Sequence, residues 1–374
     1  MPPPAKKCGT VLPKARGFLW RARLMKSIVP DTEDSSKRVV LLDKDLVGGT
    51  DLSGIQDEAA KAALAGAVAE AGATASGHTV TLGYEQASFE QVLRKYLPEG
   101  VEPPAAYTAT GHLAHFNLLE NQMPYRRLIG SVLLDKVSGL RSVVVKTSTI
   151  KTEFRTFPLE VVAGDDDLNV EVRESGATFR FNFAEVYWNS RLSTEHARIV
   201  NDLKPGDVVC DMFCGIGPFA VPAGLRGFTV HANDLNPKSY EYLVANVERN
   251  KVSKHVTCYN MDARAFLKKL AEEGTLFSVA LMNLPADGVS FLDCFVGSFD
   301  ASVWTEMPTI HCYCFSMSKV EAEWTADVVQ RVATVLGMEA PPPGISVRLV
   351  RDVAPNKSML CATFKLPEAV AFRA

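Results

Sequence analysis

The chain has 374 residues, of which 47% are hydrophobic and 22% are charged, and its formal net charge is −3. This length allows two or three domains, and the composition is typical of a soluble globular protein. No apolar run approaches the ~20 residues of a membrane span, so we expect no membrane partner. The eight cysteines are scattered, without a Cys-x-x-Cys pair, which predicts reduced thiols and no metal site.

The N-terminus is basic although the chain as a whole is not. Seven lysines and arginines precede the first acidic residue, Asp31. The pattern resembles a mitochondrial presequence, and it is equally typical of a tail that contacts RNA phosphates. The first interpretation would allow the mitochondrial matrix as a compartment. The net charge indicates that any nucleic acid is held by local patches.

The first third of the chain predicts a basic flexible segment over 1–35, followed by a small α+β domain over 36–100. Strands are expected at 38–42 and 79–82, and a capped helix at 88–97. Three prolines between 98 and 104 then mark a linker.

The next block, 105–200, predicts a middle domain of strands and helices. Strand patterns lie at 142–147, 160–163, 169–173 and 178–182. A helix with Ser193 or Thr194 near its start closes the block. Seven lysines and arginines against four acids between 120 and 160 indicate a modest basic surface.

The last block, 201–374, is organised around the strand, glycine turn and helix of 207–220. Alternating strands and helices follow, and the chain closes on two strands at 346–353 and 358–365 whose short connection predicts a hairpin. An α/β sheet that closes on an antiparallel hairpin is the layout of a class I (Rossmann-like) methyltransferase domain. A dinucleotide domain would normally continue with another βαβ half.

The ends of the predicted strands carry groups that suit a nucleoside cofactor. Gly215 and Gly217 let the backbone turn and approach a ligand closely. Asp234 can accept hydrogen bonds from both ribose hydroxyls. Asp262 can accept one from an adenine amino group, cap the helix that follows, or do both. The pattern from Gly215 to Ala220 also fits the dinucleotide fingerprint, which keeps a nicotinamide oxidoreductase as an alternative.

The fourth strand of this block ends in Asn283-Leu-Pro-Ala. A carboxamide at the sheet edge, stiffened by Pro285, offers a donor and an acceptor to a planar amide-like substrate. The tetrapeptide is similar to the Asn/Asp-Pro-Pro-aromatic signature of enzymes that methylate exocyclic amines. Leucine replaces the first proline, which leaves a ring nitrogen open as the target.

From about 105 to 367 the chain resembles the eukaryotic and archaeal tRNA guanine-N1 methyltransferases, which modify position 37 beside the anticodon. The motifs that carry the resemblance occur in the family's order: Gly-His-Leu-Ala-His-Phe-Asn-Leu, Leu-Ile-Gly-Ser-Val-Leu-Leu-Asp-Lys, Val-Tyr-Trp-Asn-Ser-Arg-Leu-Ser-Thr-Glu-His, Asp-Met-Phe-Cys-Gly-Ile-Gly-Pro-Phe, Ala-Asn-Asp-Leu-Asn-Pro, Met-Asn-Leu-Pro-Ala and Asp-Val-Ala-Pro-Asn-Lys. The resemblance implies S-adenosylmethionine as cofactor and tRNA, contacted at the anticodon stem-loop and at the elbow, as partner. We expect no DNA partner and a monomer. Enzymes of this family serve the nucleus or cytoplasm and mitochondria, so the resemblance implies cytoplasm and nucleus as compartments, with the mitochondrial matrix as a further option that the basic N-terminus permits.

The resemblance also implies residue roles. The general base falls on Glu195, the arginine that stabilises negative charge falls on Arg155, and the asparagine that positions the substrate falls on Asn283. The strand, the glycine turn and the resemblance together predict a cofactor site made of His196, Asp211, Gly215, Gly217, Asp234, Leu235, Asp262, Ala263 and Asn283.

The chemistry of guanine agrees with these roles. Its N1 bears a proton and attacks a methyl group only after a base removes that proton. The negative charge then spreads onto O6, where a guanidinium can hold it. The target base must be splayed out of its loop, and Tyr187 and Trp188 are candidates for a stacking platform, although core packing is the commoner use of such residues.

Three alternatives remain at this point. A paralogous tRNA enzyme of wybutosine synthesis transfers the aminocarboxypropyl group of the same cofactor, and Asn283-Leu-Pro with Ser-Thr-Glu-His favours methyl transfer over it. The closing hairpin disfavours a nicotinamide oxidoreductase. Intact Glu195, Arg155 and Asn283 disfavour a tRNA-binding protein without catalysis.

Overall fold

A computed structural model describes residues 8–22, 25–31, 34–147 and 158–373. The chain divides into two compact units, the first made of Met1–Ala105 with Leu119–Ser138 and the second of Ala106–Leu118 with Gly139–Ala374. The block at 105–200 contributes the helix Arg126–Lys136 to the first unit, and its strands and its last helix belong to the second. The finer division into four segments stays a prediction.

The described residues form eleven α-helices. They are α1 (Cys8–Ala15), α2 (Lys44–Val47), α3 (Glu58–Glu70), α4 (Phe89–Tyr96), α5 (Arg126–Lys136), α6 (Ser193–Asp202), α7 (Ala220–Leu225), α8 (Pro237–Arg249), α9 (Ala263–Glu272), α10 (Glu321–Val335) and α11 (Glu368–Ala371). Short 3₁₀ helices lie at Arg16–Phe18, Met123–Tyr125, Ser190–Leu192 and Gly288–Phe295. Within the described ranges, no helix is long and apolar enough to cross a bilayer.

The described residues also form fifteen strands. They are β1 (Ile28–Pro30), β2 (Arg38–Val40), β3 (Thr108–Thr110), β4 (Leu113–Phe116), β5 (Ser142–Lys146), β6 (Leu159–Gly164), β7 (Asn169–Glu174), β8 (Ala177–Asn182), β9 (Val208–Asp211), β10 (Thr229–Asn233), β11 (Val256–Tyr259), β12 (Val279–Met282), β13 (Thr309–Ser316), β14 (Ser346–Ala354) and β15 (Lys357–Lys365).

The first unit is mainly helical. Its core joins α1 to α3 through residues such as Val11 and Leu64, and β1 pairs with β2 as an antiparallel ribbon. The predicted helix at 88–97 is confirmed as α4, which begins with a capping box between Ser88 and Gln91. The predicted strand at 79–82 is wrong. These residues are mostly exposed, and their alternation of threonine with apolar residues meets no sheet to pair with.

A seven-stranded sheet dominates the second unit. Its strand order is β11-β10-β9-β12-β13-β15-β14, with β15 antiparallel between β13 and β14. The predicted class I methyltransferase layout and its closing hairpin are therefore confirmed. Because an antiparallel strand occupies the place where a second βαβ half would attach, the sheet does not fit a dinucleotide-binding domain. All four residues of β12 are buried, as expected for a strand covered by helices on both faces.

Two smaller sheets complete the second unit, and one hydrophobic core joins both of them to the large sheet. Strands β3, β4, β5 and β6 form one of them, and β7 with β8 forms a hairpin. Side-chain amides on α8 and at its C-cap bind the backbone of β8. Asn246 accepts a hydrogen bond from the N–H of Arg180 at 2.9 Å, and Asn250 accepts one from Thr178 at 2.9 Å. The hairpin is thus fixed against the methyltransferase fold.

Candidate active site

A cavity of about 850 Å³ lies in the second unit at the carboxyl ends of the parallel strands. Its volume is typical of a small-molecule site. The segments after four neighbouring strands line it, namely Met212–Ile216 after β9, Asp234–Asn236 after β10, Asp262–Ala263 after β11 and Asn283–Pro285 after β12. Ligands of open α/β sheets bind at this edge, so the predicted cofactor segments meet in one place.

Asp234 is held at the centre of the cofactor end. One carboxylate oxygen accepts a hydrogen bond from the N–H of Gly215 at 2.8 Å, and the other accepts one from the N–H of Asn236 at 2.9 Å. Burial raises the pKa of Asp234 above its usual value, and these hydrogen bonds oppose the shift. Leu235 follows it, 41% exposed, and also lines the cavity. The carboxylate is therefore fixed in orientation before any ligand enters.

The two glycines of the turn differ in role. Gly215 has φ +55° and lines the cavity, and a Cβ atom there would meet nothing within 4 Å. Gly217 has φ +95°, and a Cβ atom there would come within 2.8 Å of Leu243 on α8 and 3.0 Å of Val221 on α7. Gly215 thus keeps the backbone open to a ligand, whereas Gly217 allows close packing of helices.

Asp262 both caps a helix and lines the cavity, as the sequence allowed. Its carboxylate caps α9 by accepting hydrogen bonds from the N–H groups of Arg264 at 2.9 Å and Ala265 at 3.2 Å, and it lines the cavity beside Ala263. The predicted N-cap is confirmed. The side chain of Asn260 donates to the carbonyl of Asp234 at 2.7 Å, which ties this loop to the end of β10.

Asp211 lies apart from the cavity surface. It is fully buried at the end of β9, and neither carboxylate oxygen meets the geometry of a hydrogen bond with a described group. Burial raises its pKa to about 8, and the charge of Asp234 adds to the shift. The role of Asp211 as a cofactor contact stays a prediction.

His196 and Asn283 both line the cavity. His196 is 4% exposed, its Nδ1 lies 2.5 Å from a carboxylate oxygen of Glu174, and its ring packs edge-on against Phe219. The side-chain oxygen of Asn283 is buried and has no hydrogen-bond partner among the described residues. An unpaired buried amide oxygen at a cavity edge is an acceptor that a ligand can satisfy.

Glu195 does not line the cavity, as far as the described residues define it, but lies in a buried ion cluster. Arg198 donates to both of its carboxylate oxygens, at 2.6 and 2.9 Å. Tyr313 donates to one oxygen at 2.9 Å, and Arg348 donates to the other at 2.6 Å. Burial acts to raise the pKa of Glu195, but the hydrogen bonds and charge of these partners outweigh it and leave the pKa below its ordinary value.

Arg155 lies outside the described residues, so its position stays a prediction.

The two aromatic candidates for the stacking platform differ in their exposure and packing. Tyr187 is 48% exposed at the cavity, whereas Trp188 packs against Phe179 and Phe181 at ring distances of 5.5 and 5.2 Å. Tyr187 is therefore available to a ligand, and Trp188 serves mainly as core.

Sequence reasoning missed two groups of residues. Tyr313 and Arg348 approach Glu195 from 118 and 153 residues away along the chain, and no local pattern signals such contacts. Arg198, three residues after Glu195 on α6, was readable from helical spacing. At the other end of the cavity, His115, Lys146 and Arg191 line the wall, and the basic composition of 120–160 signalled only part of that group.

Comparisons with known proteins agree with this geometry. The family model described as "TRM5/TYW2 methyltransferase domain" matches residues 170–340, and the model described as "TYW2 N-terminal domain" matches residues 89–167. The chain is 48% identical to a tRNA (guanine(37)-N(1))-methyltransferase of Phytophthora infestans, over 98% of this chain and 89% of that protein.

Solved structures are similar as well. Trm5b from Pyrococcus abyssi is 26% identical, with a TM-score of 0.58 over 77% of this chain and 82% of its own. The aTrm5 structure solved in complex with tRNALeu is 20% identical, with a TM-score of 0.67 over 97% of this chain and 98% of its own. At that identity the second similarity concerns the fold alone.

Proposed function

We propose, on the premise that this chain belongs to the tRNA (guanine(37)-N(1))-methyltransferase family, that it transfers the methyl group of S-adenosylmethionine to N1 of guanosine 37 in tRNA. The observation that carries the proposal is the convergence of Asp234, Asp262 and Asn283 on one cavity at the carboxyl edge of a class I methyltransferase sheet.

The cofactor end fits S-adenosylmethionine. Asp234 offers carboxylate oxygens to ribose hydroxyls, Leu235 and Ala263 offer apolar surface to adenine, and Asp262 offers an acceptor to its amino group. The open backbone at Gly215 leaves room beside them. When bound, the cofactor supplies an electrophilic methyl group on a sulfonium.

Glu195 is the proposed general base, which takes the proton from guanine N1. Among the described residues, its oxygens contact Arg198, Tyr313 and Arg348. A carboxylate so paired has a lowered pKa and is a weak base. We therefore propose that, when tRNA binds, Glu195 exchanges at least one of these partners for the N1–H of the target base.

The remaining roles concern the guanine ring. The oxygen of Asn283, which lacks a partner among the described residues, would accept a hydrogen bond from the base and fix its orientation. Arg155 would hold the charge that develops on O6. Lys146, at the end of the strand before it, and Leu159, at the start of the strand after it, both line the cavity. The exposed ring of Tyr187 would stack on the splayed base.

Three further features complete the proposal: the tRNA contacts, the oligomeric state and the compartments. tRNA is the substrate, and we propose that the second unit contacts the anticodon stem-loop while the first contacts the elbow. A monomer would suffice, because the residues proposed for catalysis and for cofactor binding all belong to one chain. We propose cytoplasm and nucleus as compartments on the basis of the family, and the mitochondrial matrix as a further one on the basis of the basic N-terminus.

The aminocarboxypropyl transferases of wybutosine synthesis remain the second candidate, because the matching family model covers both groups. The relative from Phytophthora infestans, matched over nearly the full chain, carries the methyltransferase name and favours methyl transfer.

The test is an incubation with S-adenosylmethionine labelled in its methyl group and two transcripts of one tRNA, with G or A at position 37. We expect label as N1-methylguanosine in the G transcript alone. Glu195→Gln should slow methyl transfer by about 10²- to 10⁴-fold, the usual contribution of a general base.

Cofactor affinity should persist in this variant because Glu195 lies off the cavity wall. If neither transcript is labelled while the protein binds both tRNA and cofactor, N1 methylation is refuted. Label in the amino-acid chain of the cofactor would then test the aminocarboxypropyl alternative directly.

A further inference from the structure

The charged side chains that line the cavity are segregated by sign. The acidic ones follow β10, β11 and β12, and they are Asp234, Asp262 and Asp287. The basic ones are Lys146 on the four-stranded sheet, Arg191 on the 3₁₀ helix before α6, and Arg351 and Lys357 on the closing hairpin. The acidic end suits the hydroxyls and amino group of a nucleoside. The basic end is suited to an anion.

The register of the four-stranded sheet β3-β4-β5-β6 brings part of the basic end together. Thr108 on β3 is the direct partner of His115 on β4, and His115 is the partner of Val144 on β5. Lys146 lies two residues beyond Val144 and therefore on the same face. Thr108, His115 and Lys146 all line the cavity from adjacent strands. Arg191 reaches the same place, with a long contact of 3.5 Å to the hydroxyl of Thr108.

His115 is the least satisfied member of this group. Its Nδ1 is buried without a hydrogen-bond partner among the described residues, and its ring packs 5.3 Å from that of Phe183. Burial lowers the pKa of His115 to about 4, and the charges of Lys146 and Arg191 add to the shift. The imidazole is therefore neutral at physiological pH and can donate a hydrogen bond, while the two neighbouring cations supply the charge.

We propose that Thr108, His115, Lys146 and Arg191 form a subsite for a phosphodiester of the tRNA strand that carries the target nucleotide, an inference that rests on the proposed function. A base that enters the cavity brings its flanking phosphates to the cavity wall. Cationic side chains, hydroxyls and ring N–H groups are the usual partners of RNA phosphates. The carboxylate of the cofactor is the other oxyanion at hand. The cofactor brings one carboxylate beside its own ammonium group, whereas an RNA strand brings several successive phosphodiesters. Four cations spread along the basic end therefore favour the phosphodiesters.

The test measures binding without turnover. The A37 transcript is bound to the wild-type protein and to Lys146→Gln and Arg191→Gln over a series of KCl concentrations. Each lost phosphate contact should reduce the slope of log affinity against log salt by about 0.7. Lys268→Gln is the matched control, because Lys268 lies exposed on α9, pairs with Glu272 and is not among the cavity-lining residues. Lys146→Arg should restore the slope, which separates lost charge from faulty folding.

A second arm identifies the source of the oxyanion. S-adenosylhomocysteine carries the amino-acid carboxylate, whereas 5′-methylthioadenosine lacks it. We expect all variants to bind both as the wild type does. An unchanged salt slope with weaker binding of S-adenosylhomocysteine alone would overturn the proposal in favour of a cofactor carboxylate. An unchanged slope with unchanged cofactor binding would overturn it outright. Failure of the wild-type protein to methylate the G37 transcript would refute the proposed function and would leave the slope measurement valid.

Discussion

Asp234 and Glu195 are two carboxylates of one domain that are held in opposite ways. Asp234 faces the cavity, and the N–H groups of Gly215 and Asn236 orient it. Glu195 lies off the cavity wall and is bound by Arg198, Tyr313 and Arg348. The cofactor end is thus ready for a ligand, whereas the proposed base must change partners first. Cofactor binding and proton removal should therefore respond to different substitutions.

The largest effect on the cofactor end is expected from Asp234→Ala. Hydrogen bonds to a charged group contribute about 1.5–3 kcal/mol, so the affinity for S-adenosylhomocysteine should fall by about 10- to 100-fold. Isothermal titration calorimetry measures this affinity. Glu195→Gln is the matched control, because it alters a carboxylate off the cavity wall and should leave the affinity unchanged. Equal losses in both variants would abolish the distinction between the two ends.

The glycine turn gives a second contrast. In Gly217→Ala the new Cβ would lie 2.8 Å from Leu243 at φ +95°, so the free energy of unfolding should fall by about 1–3 kcal/mol. In Gly215→Ala the Cβ meets open space, and only the positive φ costs about 1 kcal/mol. Denaturant melts compare the two. A Gly215 variant that is the less stable of the pair would contradict the assigned roles.

The smallest effect is expected at Asp262, where capping and ligand contact can be separated. Asparagine caps a helix as well as aspartate does, whereas alanine loses about 1 kcal/mol of stability. Asp262→Asn should therefore keep its melting temperature and weaken cofactor binding by about 3- to 10-fold, the worth of one hydrogen bond. If Asp262→Asn binds the cofactor as tightly as the wild type, Asp262 is a cap alone.

Much of the cofactor end could be predicted from the sequence because it is local. Gly215 and Asp234 are 19 residues apart, and strand, turn and helix patterns place both at one sheet edge. The partners of Glu195 could not be predicted, since Tyr313 and Arg348 come from strands 118 and 153 residues away. The false strand at 79–82 has a similar cause, because pairing depends on a neighbour that the local pattern does not reveal.

The acid limb of the pH–rate profile bears most directly on the behaviour of Glu195. A base works only when it is ionised, so methyl transfer falls as pH drops through the pKa of Glu195. Four elements place titratable or charged groups near that carboxylate: Arg198 on α6, Tyr313 and His311 on β13, Arg348 on β14 and Cys361 on β15. In the free protein burial acts to raise the pKa of Glu195, but Arg198, Tyr313 and Arg348 outweigh it and leave the pKa lowered. When tRNA binds, the neutral N1–H of guanine replaces an arginine as partner of Glu195, and the pKa of Glu195 should rise.

The measurement is single-turnover methyl transfer to the G37 transcript across pH. At saturating protein concentration, the pH dependence of the rate reports the pKa of the base in the tRNA complex. At low protein concentration, the rate divided by the protein concentration reports the pKa in the free protein and free tRNA. We predict that the acid limb lies at higher pH in the profile at saturating protein than in the profile at low protein. Arg348→Gln should move the limb of the low-protein profile to higher pH, toward that of the saturating profile. Coincident limbs in the wild-type protein would contradict a base that changes partners when tRNA binds.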